Sequence, residues 1–317
     1  MHVLLVKTSS LGDVIHNLPV ASDLRRAFPG VHIDWCVEES FADIPRLHPG
    51  VEEVIPVALR RWRKAPLRAE TWREMGAARR RLRQREYDAI LDTQGLVKSA
   101  LIARQARGPR LGYAAEAARE PLAAHFYDET FAIPKTAHAV ERNRWLAGAA
   151  FGYAIDTPLD YGIAAPPLAA PWLPGGPYVV FFSATSRDDK LWDEAHWITL
   201  GQSMTGQGLR AVLPAGSPPE RERAARLAAA LPGAVAAPPL ALPDLAGLVA
   251  GARAVVGVDT GLTHLAAALG VPTVALYTAT DPGLTGVLGT AFHRNLGGCA
   301  GAPQPAAVLE ALRPVLA

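Results

Sequence analysis

Val255-Val256-Gly257-Val258-Asp259-Thr260-Gly261-Leu262-Thr263-His264 reads as a buried strand that turns at once into a helix. Val255 to Val258 is short, apolar and mostly β-branched. Leu262, Leu265, Ala266 and Leu269 then recur at helical spacing. Asp259, Thr260 and Gly261 stand at the handover. In an open α/β sheet that junction is where ligands bind, because a helix N-terminus offers unpaired N–H groups and a partial positive charge. The turn fits a diphosphate held over Thr260 and Gly261. It fits equally an ordinary βα turn with Asp259 or Thr260 as N-cap.

The same alternation extends in both directions. Upstream, His2 to Val6 reads as a buried strand, followed by the loop Lys7-Thr8-Ser9-Ser10-Leu11-Gly12-Asp13 and one helix from Val14 to Phe28. Strands are expected at 32–37, 54–57 and 87–93, and helices at 71–84 and 136–150. Arg60-Arg61-Trp62-Arg63-Lys64-Ala65-Pro66 reads as a loop. Only fragments are placed in 108–135. Downstream come strand 178–183, helix 194–205, strand 210–213, helix 220–231, a short helix 242–250, strand 273–277 and a helical period over 305–316. Strands alternating with helices imply βαβ units and parallel sheets. Prolines and glycines crowd 158–177, which is expected to be a linker between an N-terminal domain, 1–157, and a C-terminal domain, 178–317.

With 317 residues, 50% apolar and 20% charged, the chain has the length for two domains with sizeable cores. The net charge of +2 conceals an asymmetry. Between Arg60 and Arg85 there are eleven Lys or Arg and only Glu70 and Glu74, so that window carries +9 and the remainder −7. Such a field suits an anionic partner, or is a solvated helix face. Cys36 and Cys299 fit no metal spacing, and a reduced, cytoplasmic setting is expected. The apolar part of the N-terminus is too short for a signal peptide. No run approaches the roughly 20 apolar residues that span a bilayer.

Several loop residues carry chemistry. Asp13, after Gly12, is a general-base candidate or an N-cap. Lys190, after Thr185-Ser186-Arg187-Asp188-Asp189, suits a phosphate or pairs with Asp188 or Asp189. Glu220 suits ribose hydroxyls or the first turn of its own helix. There is no Asp-x-Asp pair, no Gly-x-Gly-x-x-Gly after the first strand and no Walker lysine motif. No Ser/His/Asp set is evident, and His264 stands alone beside a candidate site. A nucleotide site without metal is the expectation.

Val-Lys-Thr-Ser-Ser-Leu-Gly-Asp-Val-Ile-His (6–16), Arg-Arg-Trp-Arg-Lys (60–64), Asp-Thr-Gln-Gly-Leu-Val-Lys-Ser (92–99), Ala-Arg-Glu-Pro-Leu-Ala (118–123), Thr-Ser-Arg-Asp-Asp-Lys-Leu-Trp (185–192) and Val-Asp-Thr-Gly-Leu-Thr-His (258–264) resemble the lipopolysaccharide heptosyltransferases of glycosyltransferase family 9. Nearly the whole chain is covered, in order. The 60–64 and 185–190 segments are most similar to the member that adds the first heptose of the inner core. The resemblance implies an α/β GT-B fold, two Rossmann-like domains facing across a central cleft, with the last helix able to pack back on the N-terminal domain. It implies ADP-L-glycero-β-D-manno-heptose as donor, Kdo2-lipid A as acceptor, inversion at the anomeric carbon and no metal or cofactor. Asp13 matches the general base. Thr185, Ser186, Lys190, Glu220, Asp259, Thr260, Gly261 and His264 match the donor site, with Ser186 where Thr is expected. Arg60, Arg61, Arg63, Lys64 and Arg119 match basic acceptor positions, and Ser10, Gly12, Gln94 and Lys98 are expected beside them. The implied setting is peripheral, on the cytoplasmic face of the inner membrane against an anionic surface. Two rivals stand: transfer to a later core acceptor, such as addition of the second heptose, and a non-enzymatic module binding anions through the basic window. No nucleic acid is expected, because the second half carries a separate nucleotide-type constellation.

Overall fold

The computed structural model describes residues 1–316; residue 317, the last of the expected second domain, lies outside them. The chain forms two compact units, residues 1–163 and 164 onward.

In the first unit the order is β1 (His2–Val6), α1 (Leu11–Ile15), α2 (Leu18–Ala27), β2 (His32–Glu38), α3 (Asp43–Arg46), β3 (Val51–Val57), α4 (Leu59–Lys64), α5 (Ala69–Leu82), β4 (Ala89–Asp92), α6 (Val97–Ala103), β5 (Arg110–Tyr113), β6 (Glu129–Phe131) and α7 (Ala139–Phe151). The six strands are all parallel, in the order β3-β2-β1-β4-β5-β6. Val3 to Val6 of β1 are fully buried, as a central parallel strand covered on both faces must be. Leu4, Val6, Ile55 and Ile90 pack under α4, α5 and α6 through Trp62, Leu82 and Ile102.

The second unit runs β7 (Tyr178–Phe182), α8 (Glu194–Thr205), β8 (Arg210–Leu213), α9 (Pro218–Ala229), β9 (Val235–Ala236), α10 (Leu242–Ala250), β10 (Ala254–Val258), α11 (Gly261–Ala268), β11 (Thr273–Tyr277), β12 (His293–Gly297) and α12 (Pro305–Leu316). Its parallel order is β12-β11-β10-β7-β8-β9, the same winding as the first sheet. One face buries Phe181, Val256 and Leu276 against Trp192, Trp197 and the apolar side of α12; the other buries Val180 and Val255 against α10 and α11.

The structure departs from the sequence expectations at several points. The single helix of 14–28 is two, because Pro19 has no N–H to continue a ladder but fits the first turn of a new helix that starts after Asn17. The expected loop at 60–66 is largely the helix α4, since Leu59 and Trp62 bury against the sheet while the arginines face water. The boundary between the units falls inside the proline-rich segment. On its first side Tyr161 is buried; on its second Leu168 N–H donates to Gly247 O at 3.0 Å and Trp172 packs on the core, so the segment is largely anchored. Within its own unit, α12 packs on α8, β10 and β11, where Val308 and Leu312 are fully buried.

Candidate active site

In each sheet the strand order reverses once, between β1 and β4 and between β7 and β10. Connections leave such a point in opposite directions, so the loops after the two strands part and leave a crevice. Asp13 and Gln94 lie at the first of these places and Lys190, Asp259, Thr260 and Gly261 at the second, whereas Arg60 to Lys64 lie on α4 after β3 and Glu220 on α9 after β8.

In the first unit, Gln94 joins the loops. Its Oε1 accepts from the N–H groups of Thr8 at 2.9 Å and Ser9 at 3.1 Å, and its Nε2 donates to Ser9 O at 2.5 Å. Asp92 fixes Gln94 in turn by accepting from its N–H at 2.8 Å and from Tyr127 at 2.8 Å. Gln94 is buried and its amide is occupied, so it shapes this loop, and it also lines the cavity beside Asp13. That loop starts α1 with Ser10 as N-cap. Asp13 Oδ2 accepts from Ser10 N–H at 2.9 Å, and Asp13 Oδ1 from Arg119 Nη2 at 2.5 Å. The cap and the candidate base are thus one carboxylate. Burial alone would raise its pKa; the charges of Lys7 and Arg119 and the Ser10 N–H outweigh burial and hold it down at about 2.

Lys7 is the unexpected neighbour. Its ammonium is buried and donates to Thr93 O at 2.6 Å and Asn143 Oδ1 at 3.3 Å. Burial pushes it down to about 8, against the pull of Asp13. With Tyr113 and Arg142 these groups line a narrow polar cavity beside Asp13.

The expected acceptor cations divide into two kinds. Arg61 is committed to structure: it pairs bidentately with Glu39 at 3.0 and 2.9 Å and with Glu74. Arg60 lies over the Phe41 ring at 5.2 Å. Arg63 and Lys64 are exposed and form no salt bridge among the described residues. Lys98 donates to Ser9 Oγ at 3.3 Å. Arg60, Arg63 and Lys98 share a cavity of about 480 Å³ with Trp62, Trp72 and Met75.

In the second unit, the turn after β10 meets the loop after β7. Lys190 Nζ is 2.6 Å from Asp259 Oδ2, both side chains being over four-fifths buried (18% and 17% exposed). Thr280 donates to the same oxygen at 2.7 Å, and Thr185 to Asp259 O at 3.1 Å. Lys190 therefore pairs with neither Asp188 nor Asp189; Asp189 is taken by Arg187. Thr260 is the N-cap of α11 and makes no side-chain cap bond. Thr263 donates to Val258 O at 2.7 Å and His264 is buried. Ser186 is exposed at the loop surface. Glu220 Oε2 accepts from the N–H groups of Gly216 at 3.0 Å and Ser217 at 2.9 Å, so it caps α9 where it stands. Among the described residues, no group of three or more His, Cys, Asp and Glu is placed to hold a metal ion.

A family model for glycosyltransferase family 9 (heptosyltransferase) matches residues 75–306. The chain belongs to this family. The family-9 chain is 50% identical over 298 residues to lipopolysaccharide heptosyltransferase 1 of Pseudomonas aeruginosa, which covers 91% of this chain and 82% of that one. It matches the solved structure of E. coli heptosyltransferase WaaC with ADP at a TM-score of 0.92 and 45% identity, over 99% of each chain. It matches WaaC with ADP-2-deoxy-2-fluoro heptose at 0.88 and 43%, again over 99% of each. The two six-stranded sheets are those of a GT-B glycosyltransferase.

Sequence reasoning missed four residues of this family-9 enzyme's candidate site. Lys7 sat in the quoted first loop, but nothing in one sequence tells that its ammonium folds inward. Tyr113 and Asn143 come from segments far from that loop, and Thr280 from the loop after β11. Within the first unit the fold brings Tyr113 and Asn143 to Lys7, and within the second it brings Thr280 to Asp259.

Proposed function

We propose that this enzyme transfers L-glycero-D-manno-heptose from ADP-L-glycero-β-D-manno-heptose to Kdo2-lipid A, with inversion and without a metal. The observation that carries the proposal is the contrast between the two switch points. The first presents a hydrogen-bonded carboxylate, Asp13, ringed by cations. The second presents a lysine beside a helix N-terminus. The names of the relatives and the nucleotides in the two WaaC structures support the choice of donor.

In this reading a Kdo hydroxyl attacks the anomeric carbon of the heptose. Its proton passes to the Asp13 carboxylate, and the bond from the anomeric carbon to the phosphate oxygen breaks. ADP leaves with the electron pair. Lys190 and the N–H groups of Thr260 and Gly261 take up its growing charge. Thr185, Ser186, Asp259 and His264 shape the donor site, and Glu220 meets the ribose. Arg60, Arg63, Lys64 and Lys98 serve the anionic acceptor, Arg61 holds α4 in place through Glu39 and Glu74, and Ser10, Gly12 and Gln94 shape the loop that carries Asp13. Arg119 has a switching part. Paired with it, Asp13 is a poor base; an acidic group of the acceptor that draws Arg119 away leaves the carboxylate more basic. The acceptor's acyl chains stay in the bilayer, which places the enzyme peripherally on the cytoplasmic face of the inner membrane. Among the described residues no helix is long and apolar enough to cross a membrane.

The test incubates the protein with ADP-heptose and Kdo2-lipid A and follows release of ADP. Asp13→Ala should lower turnover by about 10²–10⁴ while ADP-heptose still binds. Near wild-type turnover by that variant would remove Asp13 as base. ADP release only with an acceptor that already carries heptose would move the enzyme to the second transfer.

A further inference from the structure

The connection between α4 and α5 and the first turns of α5 hold apolar side chains out into solvent. Leu67 is 97% exposed, Trp72 64% and Met75 40%. The segment is tied down at several points. Trp72 Nε1 donates to Pro66 O at 2.9 Å, Thr71 Oγ1 to Ala65 O at 2.8 Å, and Arg68 N–H to Ala65 O at 3.2 Å. The indole N–H is satisfied within the protein, and the ring stays largely uncovered. A fixed, exposed apolar cluster of this kind marks an interaction surface.

The charge around the cluster is one-sided. Arg63, Lys64, Arg68 and Arg73 are exposed and form no salt bridge among the described residues. Of the two nearby acids, Glu74 is taken by Arg61 and by Trp62 Nε1 at 2.6 Å, leaving Glu70 alone. Farther along, Arg81 and Arg85 are spent on Glu53, Asp34 and Glu52. Uncommitted positive charge therefore lies beside the protruding apolar side chains, and Arg79, Arg80 and Arg83, which form no salt bridge among the described residues, continue it toward the end of α5. Pro66, Trp72 and Met75 also form a wall of the 480 Å³ cavity that Arg60, Arg63 and Lys98 line.

We propose that residues 63–75 are an interfacial anchor for an anionic bilayer. Leu67, Trp72 and Met75 enter the boundary between headgroups and acyl chains, and Arg63, Lys64, Arg68 and Arg73 meet lipid phosphates. The cavity that shares Trp72 and Met75 with the anchor then opens toward lipid, and an amphiphile reaches Lys98 and Ser9 without crossing water. This rests on the reading of the acceptor as a membrane lipid. A single-stranded nucleic acid is the poorer occupant, because stacking platforms use several aromatic faces. Here Trp62 is buried and only the Trp72 ring is presented.

The test uses the full chain and vesicles without any acceptor, of phosphatidylcholine alone and of phosphatidylcholine with phosphatidylglycerol. The wild-type protein should sediment with the mixed vesicles, and salt should weaken binding. The double variant Leu67→Glu, Trp72→Ala should bind them at least about tenfold more weakly. Wild type in mixed vesicles containing brominated lipid should lose a fluorescence component that Trp72→Phe lacks. Unchanged thermal unfolding would show the variants to be folded. Equal binding by wild type and double variant, or wild-type binding no better to mixed than to neutral vesicles, overturns the anchor. So does displacement of the protein from vesicles by a single-stranded oligonucleotide in step with loss of the fluorescence component. None of these readouts uses ADP-heptose, so the anchor and the transfer reaction fail or stand separately.

Discussion

Lys190 does not wait for its ligand alone. Its ammonium sits on Asp259, whose carboxylate also accepts from Thr280, so the long lysine stem is held before any diphosphate arrives. The same carboxylate cancels part of the lysine's field. On the proposed reading two opposed effects follow for ADP binding: Lys190 attracts the diphosphate, and Asp259 without Lys190 repels it. We expect Lys190→Ala to weaken ADP binding by roughly ten- to a hundredfold, the range for a hydrogen bond to a charged group. Adding Asp259→Asn to that variant should restore part of the loss, since the partly buried negative charge disappears with it. Titration calorimetry on the single and double variants measures both. A double variant as weak as Lys190→Ala would show that the diphosphate does not feel Asp259.

At the level of elements, the loop after β1 and the loop after β4 behave as one piece because Gln94 spans them. Its amide satisfies two backbone N–H groups and one carbonyl, in a place closed to water. Gln94→Ala should cost about 2 kcal/mol or more of stability, since buried backbone groups lose their partners. Turnover should fall with it, because the loop carries Asp13, while ADP affinity stays, because the proposed donor residues are elsewhere. Denaturant unfolding and calorimetry check the two parts, and a parallel loss of ADP affinity would contradict the division. The strands that frame these loops were legible in the sequence. β1, β7 and β10 are near-continuous apolar runs, as doubly covered strands must be. β12, His-Arg-Asn-Leu-Gly, was not legible, because an edge strand has one open side and needs no apolar pattern. α4 was hidden by its arginines, and only the burial of Leu59 and Trp62 explains it. The position of Glu220 suits both a helix cap and a ribose ligand, and the structure displays the cap.

Across the whole molecule, two units with the same strand order carry unlike ligand loops. If the donor belongs to the second unit, ADP at a hundred times its Kd should stabilise the native state by about 2.7 kcal/mol. Hydrogen exchange should slow in residues 183–190 and 258–264, with no comparable change in residues 7–13. Protection of the first unit instead would reverse the assignment of the two sites. The ion pair between Asp13 and Arg119 has one more consequence for such an enzyme. A loaded nucleotide sugar is exposed to water, a nucleophile present at far higher concentration than any lipid. Water carries no carboxylate or phosphate with which to draw Arg119 aside. On the proposed mechanism the carboxylate therefore stays muted toward it, and the costly activated heptose is spared from futile hydrolysis until the right acceptor arrives.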